Sequence, residues 1–254
     1  MVRSIDIIQS YRQFANQQFT VVDLETTGGT PSSSRAIEIA VIHASLAQGI
    51  TARYSDLINP QTLVPSQITR LTGITQEMVD GGLPSEQLWF DYLPHLSHGV
   101  FTAHNLNFDY GFVQMEYRRL GINYQRPTNA RLCTVQLSRL LLPHLKSRSL
   151  PNLVQHFNFP VGESHRAAAD TLACWLLLEK LFEQLAIEDQ ELLLERIGQE
   201  WLDLAAAAEI LGLNRDEAKL ILETERVTHR FSQRRLSLVY QRCSVEALAA
   251  QVLK

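Results

Sequence analysis

The stretch FTVVDLETTGG, Phe19–Gly29, begins as a β-strand and ends as something else. With a period of two, Phe19, Val21, Asp23 and Glu25 share one face, and Thr20, Val22 and Leu24 share the other. The run breaks at Gly28-Gly29. Side chains two apart on a strand project the same way, so Asp23 and Glu25 hold their carboxylates side by side. In a partly buried place two such charges repel and cannot both stay ionised without a neutralising partner. A divalent cation with oxygen ligands resolves the conflict, and Mg²⁺ and Mn²⁺ favour such ligands. Taken alone, a D-x-E is more often a strand end with one acid in water and the other in the turn.

Working outward, AIEIAVIHA and ITARYSDLI read as two more strands joined by short Gly-containing turns, an antiparallel meander. Ser4–Ala15 reads as a short leading helix. From Pro65 the pattern turns helical, with LTGIT between the patches. VFTAH (Val100–His104) is a further strand, and Asn105 is placed to cap a helix bearing Phe108, Phe112, Met115 and Leu120 at helical spacing. ARLCTV reads as a fifth strand, followed by helices near 136–142 and 149–157 and a Leu/Ala-rich helix from about His165 to Leu185. Strands followed by alternating strands and helices imply an α/β or α+β domain with a mixed sheet. Beyond about Ile187 the composition shifts, so the chain divides into residues 1–187 and a small helical domain, 188–254.

Three more residues bear on the acids. HNLNFDYGF places Asp109 just inside a helix after a strand, and ESHRAAADTLACW places His165 and Asp170 at a helix opening. Each alone is ordinary, because an acid in a first turn complements the helix dipole. Together and in order, DLETTG, LTGIT, AHNLNFD and HRAAAD resemble the signature segments of the DEDDh 3′-5′ exonucleases, the DnaQ-like family that includes the proofreading epsilon subunit of bacterial DNA polymerase III. The resemblance covers Phe19 to Leu185. It implies an RNase H-like fold, a five-stranded mixed sheet flanked by helices. It implies Asp23, Glu25, Asp109 and Asp170 as catalytic acids and ligands of two divalent cations, Mg²⁺ or Mn²⁺, with His165 as the fifth catalytic residue. By the same resemblance, Thr26 and Thr27 hold the terminal nucleotide, while Leu71 in PSQITRLTGIT and Phe108 press on terminal bases; turn and core roles are the alternatives. RLCTV carries Cys133 where many relatives have Asp, outside the metal set.

In the two-metal chemistry of phosphodiester hydrolysis, Asp23 is expected to bridge, Glu25 and Asp170 to complete the ion beside the attacking water, Asp109 to serve the second ion, and His165 to be the general base. The expected activity is release of nucleoside 5′-monophosphates from DNA 3′ ends, single-stranded ends foremost, in proofreading or repair. An RNA 3′-5′ exonuclease, or an inactive nucleic-acid-binding or polymerase accessory protein, is the alternative.

The bulk composition is compatible with this. The 254 residues carry a net charge of −4, no global lure for nucleic acid, but acids gathered round cations with basic residues elsewhere do not need one. No apolar run approaches a membrane span of roughly 20 residues. The N-terminus does not read as a secretory signal, and Cys133, Cys174 and Cys243 read as reduced core or semi-buried thiols, so a cytoplasmic location is expected. In the second domain, LDLAAAAEILGLNRDEAKLIL reads as a helix-turn-helix with Gly212 at the turn. RVTHRFSQRRLSLVYQR follows as a hairpin carrying Arg226, Arg230, Arg234, Arg235 and Arg242 with no acid among them. The pattern resembles winged helix-turn-helix modules of the MerR or excisionase type, with arginines suited to phosphates. A hairpin that docks a polymerase or repair protein is the competing expectation.

Overall fold

The computed structural model describes residues 3–162, 164–233 and 235–252. They form two units, Phe14–Leu185 and Met1–Gln13 with Ala186–Lys254. The leading helix α1 (Ser4–Phe14) therefore groups with the C-terminal residues, where the sequence placed it in the first domain. The reason is visible in its partners: Ser4 donates from both its backbone N–H and its hydroxyl to Glu246, each at 2.8 Å, and Arg12 donates to Gln190. An amphipathic helix announces that it has a core to join, not which one.

The larger unit runs β1 (Gln18–Thr26), β2 (Ala36–Ser45), β3 (Gly49–Asn59), α2 (Ser66–Thr72), α3 (Gln76–Asp80), β4 (Leu83–Pro84), α4 (Ser85–Leu96), β5 (Val100–Ala103), α5 (Leu106–Arg119), β6 (Arg131–Cys133), α6 (Thr134–Leu141), α7 (Leu150–Phe157) and α8 (Ala167–Ile187). The sheet order is β4-β3-β2-β1-β5-β6. β1, β2 and β3 form the antiparallel meander, while β5 joins β1 and β6 joins β5 in parallel. The sheet has six strands where five were expected; the addition is β4, two residues pairing with β3, too short to carry any periodicity.

Both faces of the sheet are covered. Val22 and Leu24 pack with Trp89 and Tyr92 of α4 and Phe112 and Tyr117 of α5. On the other face, Phe19 lies 6.1 Å from Trp175 and 5.6 Å from Phe182, both on α8, ring centroid to centroid. Each large side chain so buried contributes about 1.5–3 kcal/mol, which is why β1 occupies the middle of the sheet. Its position also creates a gap: β1 pairs with β5 only from Phe19 to Val21, and the residues beyond lose their neighbour on that side. A crevice at the carboxyl ends of strands, where one neighbour is parallel and the other antiparallel, is where open α/β sheets keep their ligands.

The smaller unit continues with α9 (Gln190–Gly198), β7 (Trp201–Leu202), α10 (Leu204–Leu211), α11 (Arg215–Thr224), β8 (His229–Ser232), β9 (Ser237–Gln241) and α12 (Arg242–Val252). Gly212 ends α10 in the left-handed region, φ 69°, and Asn214 opens α11 with a capping box closed by Glu217. The hairpin forms a three-stranded sheet ordered β7-β9-β8. Leu202, Ala207, Leu211, Leu222, Tyr240 and Val245 lie in its own core. Among the described residues no helix is long and apolar enough to cross a membrane.

Candidate active site

The strand β1 delivers Asp23 and Glu25 into the crevice, both half-buried. Asp109 arrives from the first turn of α5, almost sealed, and its Oδ1 accepts the Leu24 N–H at 3.2 Å. That amide lies past the end of the β1–β5 pairing, so Asp109 satisfies it while standing beside Asp23. Asp170 sits in the first turn of α8 and accepts the His165 N–H through Oδ2 at 2.9 Å. His165 holds a left-handed backbone, φ 64°, a conformation that costs a residue with a Cβ about 1–2 kcal/mol.

The structure thus brings all five expected residues together. Ligand atoms of Glu25, His165 and Asp170 lie within 4.8 Å of one another. Burial first, and then Asp109, Asp170, Glu25 and Glu38, hold the Asp23 carboxyl well above the usual carboxylate range. Asp109 is likewise pushed far up, chiefly by burial. Glu25 rises to about 7, through burial and then the charges of Asp170 and Glu38. Asp170 is raised as well, by burial against the opposing pull of the His165 N–H. Four carboxyl groups that resist joint ionisation, presenting only oxygen with one imidazole beside them, form a donor set suited to hard divalent cations.

The remaining candidates are distributed unevenly. Leu71 is 54% exposed on α2, so it is not core. Phe108 is half-buried and lies 4.9 Å from the Phe112 ring. Thr26 is buried and its hydroxyl donates to the Gly28 carbonyl, while the Thr27 hydroxyl accepts from the Arg35 N–H at 2.9 Å. The local work of both hydroxyls is therefore to close the turn. His104 uses both ring nitrogens on Thr134 and the Arg148 carbonyl, and burial lowers it to about 4, which agrees with a packing role. Asn105 does not cap α5 with its side chain as expected; it takes a left-handed φ of 72° and its carbonyl accepts from Phe108. Cys133 and Cys174 are buried, but Cys243 is exposed, where a semi-buried thiol was expected.

Two ion-pair systems escape the sequence reading. Glu38, on β2 opposite Glu25 in register, takes a fork from Arg166 and the Ala167 N–H. Glu116, sealed on α5, takes Arg35, Arg119 and the Ala36 N–H, and so anchors the turn that follows Glu25. The available signal was an acid interrupting an apolar run, the same one that drew attention to Asp23.

In the small unit, Arg226 is exposed with φ 49°. Arg230 lies 4.3 Å above the Trp201 ring, and Arg235 pairs with Asp203 at 3.3 Å. Arg234 lies outside the described residues. Arg242 is mostly buried against Glu200 and Glu246 and is not a free cation.

Residues 20–178 match the model of the exonuclease family, RNase T. The chain belongs to that family. Asp23, Glu25, Asp109, His165 and Asp170 all lie within the matched residues. Among curated relatives, the 3′-5′ exonuclease DinG of Bacillus subtilis is 35% identical over 170 residues, 66% of this chain and 18% of that protein. The PolC-type DNA polymerase III of Clostridium perfringens is 29% identical over 194 residues, 75% of this chain and 13% of that one. The chain therefore spans less than a fifth of the length of either relative. Among solved structures, the nuclease domain of 3′hExo, a DEDDh family member bound to rAMP, aligns with a TM-score of 0.55 at 15% identity, covering 65% of this chain and 92% of that one. The fold is the RNase H-like fold of such exonucleases, and the family match stops short of the small unit.

Proposed function

We propose that this protein is a metal-dependent exonuclease that removes nucleoside 5′-monophosphates from the 3′ end of DNA, with single-stranded ends as its substrate and proofreading or repair as its setting. The observation that carries the reading is the convergence of Asp23, Glu25, Asp109 and Asp170 with His165 at the open end of β1. The likeness to a 3′-5′ exonuclease and to a DNA polymerase supports the polarity and the polymer.

Asp23, Glu25, Asp109 and Asp170 would hold two divalent cations, Mg²⁺ or Mn²⁺. When bound, these supply positive charge that activates water and stabilises the departing 3′ oxygen. Among this chain's own groups, the His165 imidazole takes the proton from the attacking water as general base. The Asp170 carboxylate accepts the His165 N–H and so fixes where that ring is carried. Asp109 orders the end of β1 through Leu24. The turn of Thr26 and Thr27, the exposed Leu71 and the half-buried Phe108 offer a surface for the terminal nucleotide and the bases behind it. In the small unit, Arg226, Arg230 and Arg235 are exposed and would bear on the phosphate backbone, or on a polymerase or repair partner.

The test is direct. Purified protein is incubated with 5′-labelled single-stranded DNA or RNA in Mg²⁺, Mn²⁺ or EDTA. A ladder shortening from the 3′ end of DNA, abolished by EDTA, is the expected result. Shortening of RNA alone would reassign the sugar, and an inert protein in both metals would refute the enzyme.

A further inference from the structure

Among the described residues, Glu38 is the sealed carboxylate beside this site to which the mechanism gives no role, at 3% exposure. It faces Glu25 across the β1–β2 pair, where like charges repel. Its oxygens are spoken for: Arg166 Nε lies 3.2 and 3.3 Å from them, Arg166 Nη2 lies 2.6 Å from Oε1, and the Ala167 N–H donates to Oε2 at 2.8 Å. A cation could recruit Glu38 only by displacing these donors.

The partners are the informative part. Arg166 follows His165 directly, and its carbonyl accepts the Asp170 N–H at 3.0 Å, so it stands at the head of α8. Ala167 is the first residue of that helix, whose opening amides have no partner within it. Glu38 therefore caps α8 from a neighbouring strand, and the charge favours a helix N-terminus. Just before the helix, the backbone at His165 is left-handed, so something must hold it there. The Thr171 hydroxyl, one residue beyond Asp170, reaches the Ala40 carbonyl on the same strand at 3.4 Å, a weaker second tie.

We infer that Glu38 and Arg166 are positioning residues: their fork fastens β2 to the junction between His165 and α8, and so sets where His165 and Asp170 stand relative to Glu25. The inference deepens the nuclease reading and rests on it for the metal and turnover measurements alone. A purely structural ion pair would lower stability and leave the chemistry of the folded molecules untouched. A positioning pair alters the site in molecules that remain folded.

The experiment compares wild type with Arg166→Gln, Arg166→Lys, Glu38→Gln and the double variant Glu38→Gln/Arg166→Gln. The readouts are circular dichroism for folding, calorimetric titration with Mn²⁺, and kcat and KM on labelled single-stranded DNA. The His165 imidazole proton signals in metal-free protein are recorded by NMR. Arg166→Gln is expected to lower Mn²⁺ affinity and kcat about 10–100-fold, as outer partners of metal ligands do, with KM little changed. Arg166→Lys recovers part of the loss, because the charge returns without the fork. The double variant is no worse than the more damaging single one, since both remove the same bond. It also leaves no unpaired buried charge, so it carries the test if a single variant does not fold. Folded variants with wild-type Mn²⁺ affinity, kcat and His165 signals overturn the inference, however far their melting temperatures fall. A wild-type protein that neither binds Mn²⁺ nor cuts refutes the nuclease reading instead, and the His165 signals in the variants still decide the clamp.

Discussion

Removing divalent cations and raising the pH should destabilise the larger unit in a window set by the acids themselves. Glu25 stands at about 7 in the fold against an ordinary 4.5, so the folded protein binds more protons than the unfolded chain between those values. Stability from this group is fully present below about 4.5 and is lost as the pH rises through about 7, the reverse of a carboxylate held down by a salt bridge. At about 1.36 kcal/mol per pH unit, the rise amounts to at most about 3 kcal/mol, a large share of the stability of a typical domain. Urea unfolding in EDTA at pH values from about 5 to about 8 measures it, with Glu25→Gln as the control. Wild type should lose stability across the window, with Asp23, Asp109 and Asp170 steepening the fall because burial raises them too. Glu25→Gln should lose less, and at the upper end should be the more stable protein by up to the same about 3 kcal/mol. Added Mg²⁺ or Mn²⁺ should restore wild type more than the variant. Parallel wild-type and variant profiles would refute the claim that these carboxyls are crowded beyond what their own ionisation allows.

Four other outcomes follow from the same geometry. Asp23→Ala should abolish nuclease turnover yet melt at or above wild type in EDTA, because it removes a carboxyl strained by burial and by Asp109, Asp170 and Glu25; retained cleavage would contradict its ligand role. His165→Ala should slow cleavage about 10²–10⁴-fold, and a near-wild-type rate would remove the imidazole from the mechanism while sparing the acids. Glu116→Ala should cost about 3 kcal/mol in urea unfolding, the low end for a broken buried pair, because Arg35 and Arg119 still reach water once their partner is gone. Replacing Arg226 and Arg230 together by Ala should weaken single-stranded DNA binding to Asp23→Ala protein and flatten its salt dependence; unchanged affinity would assign the hairpin to a protein partner.

How much of this was legible in the sequence depends on the range of each interaction. β1 could be read because both of its faces are buried, and only its acids broke the pattern. Asp109, His165 and Asp170 carry no local signal that sets them apart from ordinary helix openings; the order of the four motifs singled them out, and the fold then closed the distance. Nothing local pairs Glu38 with Arg166: they are 128 residues apart, and the acid that interrupts AIEIAV does not point to an arginine in SHRAAA. The sixth strand was invisible because two residues have no period. The misplacement of α1 has a different cause: its apolar face is satisfied by whichever core it meets, and Glu246, at the far end of the chain, decides.

These features belong to one physical arrangement. A sheet can bring Asp23, Glu25 and Glu38 onto a single patch only if each charge is answered, and the site answers them in two ways. Glu38 has a permanent cation, Arg166, with the helix amide of Ala167 behind it. Asp23, Glu25, Asp109 and Asp170 have no such permanent answer, and their raised proton affinities are the consequence. In the absence of metal, protons fill that role, and the proposed divalent cations would compete with them as the pH rises. The repulsion that weakens the metal-free fold would then be the same free energy that draws the proposed cations in. Arginine beside Glu38 confines that exchange to the four acids facing the crevice.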